Sequence, residues 1–71
     1  MWAVVGVSVA DRPGELGRLF ADAGATGVNL EDVRIEHIFG RPSGLVALYV
    51  QPDVGDRLRG ALQALGFDVR S

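Results

Sequence analysis

The chain has 71 residues, no cysteine, one histidine and a net charge of −2. These counts exclude disulfides, leave too few ligands for a zinc or iron–sulfur site, and give no basic footprint for nucleic acid. No apolar run reaches the roughly 20 residues that span a bilayer, so we expect no membrane partner and a cytoplasmic location. A chain this short forms a marginal core, which favours oligomerisation or attachment to a larger protein as its support.

The first elements predicted are a strand and a helix. Ala3 to Val9 alternates valines with smaller residues at period two, which is typical of a strand. Pro13 to about Ala25 has apolar residues at helical spacing, and Gly24 or Gly27 is expected to end this helix. The apolar stripe of the helix consists of Leu16, Leu19, Phe20 and Ala23.

A hairpin is predicted to follow. Val28 to about Phe39 has the composition of a second strand, but its apolar residues change parity, so we expect a bulge or a late start near Glu31 and Asp32. The breakers of residues 40–44 predict a turn. Leu45 to Gln51 is predicted as a third, interior strand because nearly every position is apolar.

The last elements predicted are a second helix over Pro52 to Leu65, with Asp53 as its N-cap, and a short strand over Phe67 to Val69 after Gly66. The stripe of this helix is Val54, Leu58, Ala61, Leu62 and Leu65. The order β-α-β-β-α-β predicts a single α+β domain over residues 1–71. Its fold would be ferredoxin-like, with a four-stranded antiparallel sheet and two helices on one face.

No set of residues predicts an active site. Nucleophilic catalysis needs a Ser, Cys or Thr beside a base, and the chain has one histidine and no spacing that pairs two acids across a cleft. We therefore expect no catalytic residue, no metal, no cofactor and no enzymatic activity of this domain by itself.

The segment Asp11-Arg12-Pro13-Gly14-Glu15-Leu16 is the candidate ligand site. Free amides at a helix start suit a carboxylate, Gly14 lets a ligand approach the backbone, and Asp11 can accept a hydrogen bond from an ammonium group. A free amino acid carries both of these groups. Spacing alone favours the simpler interpretation, which is a turn capped by Asp11.

Polar residues of the second strand are weaker candidates. Asn29 can bond a ligand or a neighbouring chain, or it can be a turn residue that bonds its own backbone. Arg34 and Glu36 are expected on a solvated face, and His37 and Phe39 are expected to pack near the hairpin.

The sheet is expected to have a bare face, because both helices cover the other one. In the third strand Leu45, Ala47 and Tyr49 alternate with Val46, Leu48 and Val50, so one of these rows points away from the helices. Trp2 and Tyr49 are candidates to cover that face or to join an interface. An apolar open face is best explained by a partner.

Taken together, these motifs resemble those of an ACT domain, the amino-acid-sensing module of many metabolic enzymes. The matching pieces, which run along essentially the whole chain, are Asp11-Arg12-Pro13-Gly14-Glu15-Leu16, Leu19-Phe20, Gly27-Val28-Asn29-Leu30 and Gly44-Leu45-Val46. Val28 to His37 is in addition similar to the C-terminal ACT domain of bacterial prephenate dehydrogenases.

The resemblance implies a regulatory domain that forms a homodimer or a higher homo-oligomer and binds an amino acid, with tyrosine as the candidate. It implies an effector site between two copies. One copy would contribute Asp11, Arg12, Pro13, Gly14, Glu15 and Leu16, and the other would contribute Asn29 and Leu30. The implied parent enzyme oxidises prephenate with NAD, on an attached catalytic domain that this chain does not include.

The effector itself is left open by the sequence. Phenylalanine-sensing relatives have Gly-Ala-Leu-Val and Glu-Ser-Arg-Pro motifs. Here Pro13-Gly14-Glu15-Leu16 matches the first only in part, and Ile35-Glu36-His37-Ile38 lacks the Arg-Pro of the second. The alternative function is a purely structural dimerisation module with no effector. An RNA-binding domain of the same topology fits poorly, since it needs sheet-face aromatics and a basic surface.

Overall fold

The computed structural model describes residues 1–37 and 40–70. The elements are β1 (Ala3–Ala10), α1 (Glu15–Ala25), β2 (Asp32–His37), β3 (Ser43–Val50), a 3₁₀ turn (Pro52–Val54), α2 (Gly55–Ala64) and β4 (Asp68–Val69). The strands form one antiparallel sheet in the order β2-β3-β1-β4. The predicted α+β fold of the ferredoxin-like type is therefore confirmed. Among the described residues, no helix is long and apolar enough to cross a membrane.

The core lies between one face of the sheet and the two helices. Alternate residues of the central strands are buried, and Leu19, Ala23, Leu58 and Leu62 of the helices are fully buried against them. The buried strand residues are Val5, Val7 and Val9 of β1 and Val46, Leu48 and Val50 of β3. Because strand side chains alternate between faces, the row Leu45, Ala47 and Tyr49 is the one that points away from the helices.

The change of parity in the second strand comes from a late start. Val28 is buried and Leu30 packs against the core before any strand begins. The amide of Glu31 donates to the carbonyl of Tyr49 at 2.7 Å, and regular pairing then starts at Asp32. The irregular segment contains one residue more than regular alternation allows. The side chains of Val33 and Ile35 therefore lie on the face of the sheet that packs against the core. The predicted end of this strand at Phe39 lies outside the described residues.

The N-cap predicted at Asp53 is wrong, and Asp11, which the simpler interpretation made the cap of a turn, does not cap the helix that follows. Gly14, not Asp11, is the N-cap of α1, and α2 begins after Val54, because Asp53 lies inside the 3₁₀ turn. Within the described residues neither helix has a capping hydrogen bond from a side chain. A capping side chain must lie at the helix boundary itself, and Asp11 and Asp53 both precede the boundary residues Gly14 and Val54.

The end of α2 corrects the predicted apolar stripe. Leu65 is 52% exposed, and Phe67 is 7% exposed. Gly66 has a φ of +90°, and the amides of Gly66 and Phe67 donate to the carbonyls of Gln63 and Leu62. This is the Schellman motif, which reverses the chain and brings the residue after the glycine back onto the core. Phe67 thus takes the buried position that the helical spacing assigned to Leu65.

Candidate functional site

The start of α1 is the centre of the candidate site. Gly14 has a φ of +86°, and a side chain added there would meet no atom within 4 Å. Its carbonyl accepts from the amide of Arg18 at 2.9 Å. In the described part of the chain, the amides of Leu16 and Gly17 have no hydrogen-bond acceptor. The helix therefore presents unpaired amides beside a backbone that no side chain covers.

Backbone hydrogen bonds hold the loop before this helix. The amide of Asp11 donates to the carbonyl of Pro42 at 2.9 Å, and the amide of Arg12 donates to the carbonyl of Ala10 at 2.9 Å. The loop is thereby tied to the turn between β2 and β3, while the side chain of Asp11 is exposed. The backbone of Asp11 is thus fixed, while its exposed carboxylate is available to accept a hydrogen bond from a ligand.

The charged side chains of the loop balance one another. The Glu15 carboxylate lies 3.8 Å from the Arg12 guanidinium and 3.4 Å from the Arg18 guanidinium. Arg18 also stacks over the ring of Phe67, with 4.2 Å from its guanidinium carbon to the ring centroid. Two arginines and two acids, Glu15 and Asp11, thus leave the corner neutral but with separated charges. Such a distribution suits a zwitterion better than an ion of one sign.

A shallow cleft runs from this loop to β2. Its cavity volume is about 30 Å³, which is room for one or two water molecules and not for an amino acid. Leu16 is 37% exposed and Ile35 is 44% exposed, since the helices leave the face of β2 uncovered. His37, which was expected to pack, is exposed and lines the cleft. The cleft is lined by Val9, Ala10, Asp11, Leu16, Ile35, His37, Gly44 and Val46.

The two halves of the candidate site lie far apart in one chain. Asn29 and Leu30 precede the end of β2 that pairs with Tyr49, whereas the loop follows Ala10, which pairs with Ser43. The eight-residue strands between these ends span roughly 25 Å. Asn29 is exposed and donates to the Glu31 carboxylate at 2.9 Å rather than to its own backbone. A single copy therefore does not bring these strand residues to the loop.

No protein-family model matches this sequence, and no curated protein matches it. The resemblance to ACT domains remains a prediction from the residues. Among the described residues, no three side chains of His, Asp or Glu are grouped as metal ligands.

The open face of the sheet is less apolar than the sequence suggests. Tyr49 is half-buried there, and the guanidinium of Arg34 lies 5.9 Å from the centroid of its ring. Arg34 also lies 3.8 Å from the Asp32 carboxylate. Trp2, the other aromatic candidate for this face, is 45% exposed. The sequence analysis did not assign a polar site to this face. Ser8 alternates with the buried valines of β1, and this alternation already indicates that its side chain points away from the core.

Proposed function

We propose that this chain is a regulatory module of the ACT type, which assembles with copies of itself and binds a free amino acid between two of them. The observation that carries the proposal is the start of α1. There, unpaired amides of Leu16 and Gly17 and the bare backbone of Gly14 open beside a cleft too small to hold a ligand alone.

In this proposal each end of the ligand has a partner in the loop. The carboxylate of the amino acid binds the amides at the start of α1, where the helix dipole favours negative charge. Its ammonium group binds the carboxylate of Asp11. The second copy contributes Asn29 and Leu30, which close the cleft from outside.

Self-association is the second part of the proposal. β2 is an edge strand, with Ile35 exposed on one face and Leu16 exposed across the cleft. Natural proteins rarely leave an apolar edge uncovered, because it invites pairing with other chains. A ligand seated between two copies binds the assembled state better, and it therefore shifts assembly or the position of an attached domain.

The wider context is proposed on the resemblance alone. The chain would be the C-terminal regulatory part of a cytoplasmic prephenate dehydrogenase, with tyrosine as the effector and the NAD-dependent chemistry on a separate catalytic domain.

Calorimetric titration of the chain with tyrosine, phenylalanine and the other amino acids tests the proposal, with sedimentation velocity run in parallel. We expect one amino acid to bind and to raise the fraction of assembled protein. Asn29→Ala should weaken this binding by roughly tenfold, the value of one hydrogen bond to a charged ligand.

Gln63→Ala is the matched control, since Gln63 is an exposed amide on α2 far from the cleft. It should leave binding unchanged. A chain that assembles but gives no heat with any amino acid would support the structural dimerisation module instead. A chain that stays monomeric at all concentrations would exclude both functions.

A further inference from the structure

A second cavity lies on the opposite side of the sheet, at the corner where β3 begins. It is lined by Ser8, Arg41, Ser43, Leu45 and Arg70, and its volume is about 260 Å³. Ser8 pairs with Leu45 and Ser43 pairs with Ala10 across β1 and β3, so the two serines are diagonal neighbours about 7–8 Å apart. We propose that this corner of the open face, the Arg41–Arg70 corner, binds a small oxyanion.

The side chains of this corner are mostly free donors. Within the described residues, neither serine hydroxyl has a hydrogen-bond partner, and the Arg41 guanidinium has no ion-pair partner. Arg70 contacts Asp68 through one nitrogen at 2.8 Å. A guanidinium has five N–H donors, so Arg70 retains donors for a ligand. Two hydroxyls and two guanidiniums together match the acceptors of a phosphate or a carboxylate.

The corner brings two arginines and two carboxylates together on one face of the sheet. Arg41 and Arg70 contribute two positive charges, and Asp68, which pairs with Ser8, and Glu36, which pairs with Leu45, contribute two negative charges. Arg70 is already paired with Asp68, whereas Arg41 has no ion-pair partner among the described residues, so the anion is expected nearer to Arg41. An anion would therefore be held by the directed N–H and O–H donors of the corner rather than by a general positive field.

The backbone positions Arg41 although its side chain is exposed. Ser43 is held in the sheet by its pairing with Ala10, and the carbonyl of Pro42 accepts from the amide of Asp11 at 2.9 Å. The turn that carries Arg41 is thus tied on one side to the sheet and on the other to the loop before α1. Ordering of this kind lowers the entropic cost of binding a ligand.

The size and the floor of the cavity limit the ligand class. Drug-sized ligands occupy pockets of roughly 300–1,000 Å³, so this cavity suits a compact metabolite. Leu45 forms an apolar floor beside the donors. A phosphate or carboxylate group with a short carbon chain matches both features.

Two-dimensional NMR of the ¹⁵N-labelled chain tests the proposal, with inorganic phosphate and acetate titrated separately against chloride at constant ionic strength. We expect saturable shifts at the amides of Ser8, Ser43 and Leu45, with a midpoint on the order of 1 mM. Saturation with phosphate alone would identify a phosphate ligand, and saturation with acetate alone a carboxylate ligand.

Two variants that each remove one positive charge distinguish anion binding at this corner from a general effect of the charge of the chain. Arg41→Gln should weaken binding by roughly tenfold, the loss of one charge-assisted hydrogen bond. Arg57→Gln removes the same charge from an exposed position on α2 and should have no effect. Equal effects of the two variants, shifts that never saturate, or shifts at Leu16 and Gly17 alone would overturn the proposal, since the last result would assign the anion to the start of α1.

Discussion

Gly14 shows how one residue sets the geometry of the candidate site. The sequence identified it because it has no side chain to block a ligand. The structure adds a second reason, which is a φ of +86° that side chains other than glycine rarely adopt. Any substitution of Gly14 therefore has two effects: it adds a side chain at the site, and it strains the left-handed backbone.

Gly14→Ala is therefore expected to destabilise the fold by about 1–2 kcal/mol, the cost of a left-handed alanine. Gly17→Ala, in the same helix, should stabilise it by about 0.5–1 kcal/mol, because Gly17 lacks a positive φ and an added side chain meets no atom within 4 Å. Urea unfolding measures both. Equal effects would contradict the role given to the backbone angle.

The same geometry affects the design of ligand tests. A loss of amino-acid binding in Gly14→Ala combines backbone strain with obstruction of the site. Gly14→Asn is the better variant, because asparagine tolerates the left-handed region and still adds a side chain at the start of α1.

At the scale of elements, the end of α2 depends on a motif rather than on helical spacing alone. Leu62 and Leu65 belong to the same predicted stripe, but Leu62 is fully buried and Leu65 is 52% exposed. The difference arises because the helix ends at Ala64 and Gly66 turns the chain back, which places Phe67 in the core.

Leu62→Ala should destabilise the fold by about 2–5 kcal/mol, since it leaves a cavity among fully buried side chains. Leu65→Ala should change the free energy of unfolding by less than about 0.5 kcal/mol, as exposed positions do. Chemical denaturation of the pair checks this. A comparable loss at Leu65 would mean that the helix continues beyond the observed end.

β2 is the element on which the proposed assembly depends. It pairs only with β3 among the described strands, and its residues are exposed except for the half-buried Val33. The change of parity among the apolar residues indicated an irregularity before β2. A bulge and a late strand start both produce such a change, so the sequence did not distinguish them. Only the bond from Glu31 to Tyr49 distinguishes them.

At the scale of the whole molecule, the exposed apolar pair Leu16 and Ile35 predicts where copies meet. Ile35→Lys should lower the association constant by roughly tenfold or more, because a buried unpaired charge is costly. It should leave the stability of the monomer nearly unchanged, since Ile35 is 44% exposed.

Leu65→Lys is the control for that variant, because it adds the same charge to a similarly exposed apolar residue at the end of α2. Sedimentation equilibrium of both proteins measures the association constants. If the two variants associate equally well, the interface does not include the β2 edge.

Much of this protein could be predicted from patterns that lie close together in the chain. Period-two valines, helical stripes and the glycines at residues 14 and 66 determined the elements, their order and the fold class. They also drew attention to the loop of residues 11–16. The patterns failed at Asp11, Asp53 and Leu65, where the outcome depends on how the chain turns at a helix boundary.

Tertiary structure alone decided what lies beside what. Strand register separates Asn29 from Gly14 by the length of the sheet, so the proposed site needs two copies. It also gathers Ser8, Arg41, Ser43 and Arg70 at one corner. Periodicity is a property of neighbouring residues, which the sequence displays directly. The pairing of distant strands depends on the whole core, because register is chosen by the packing of all the elements together.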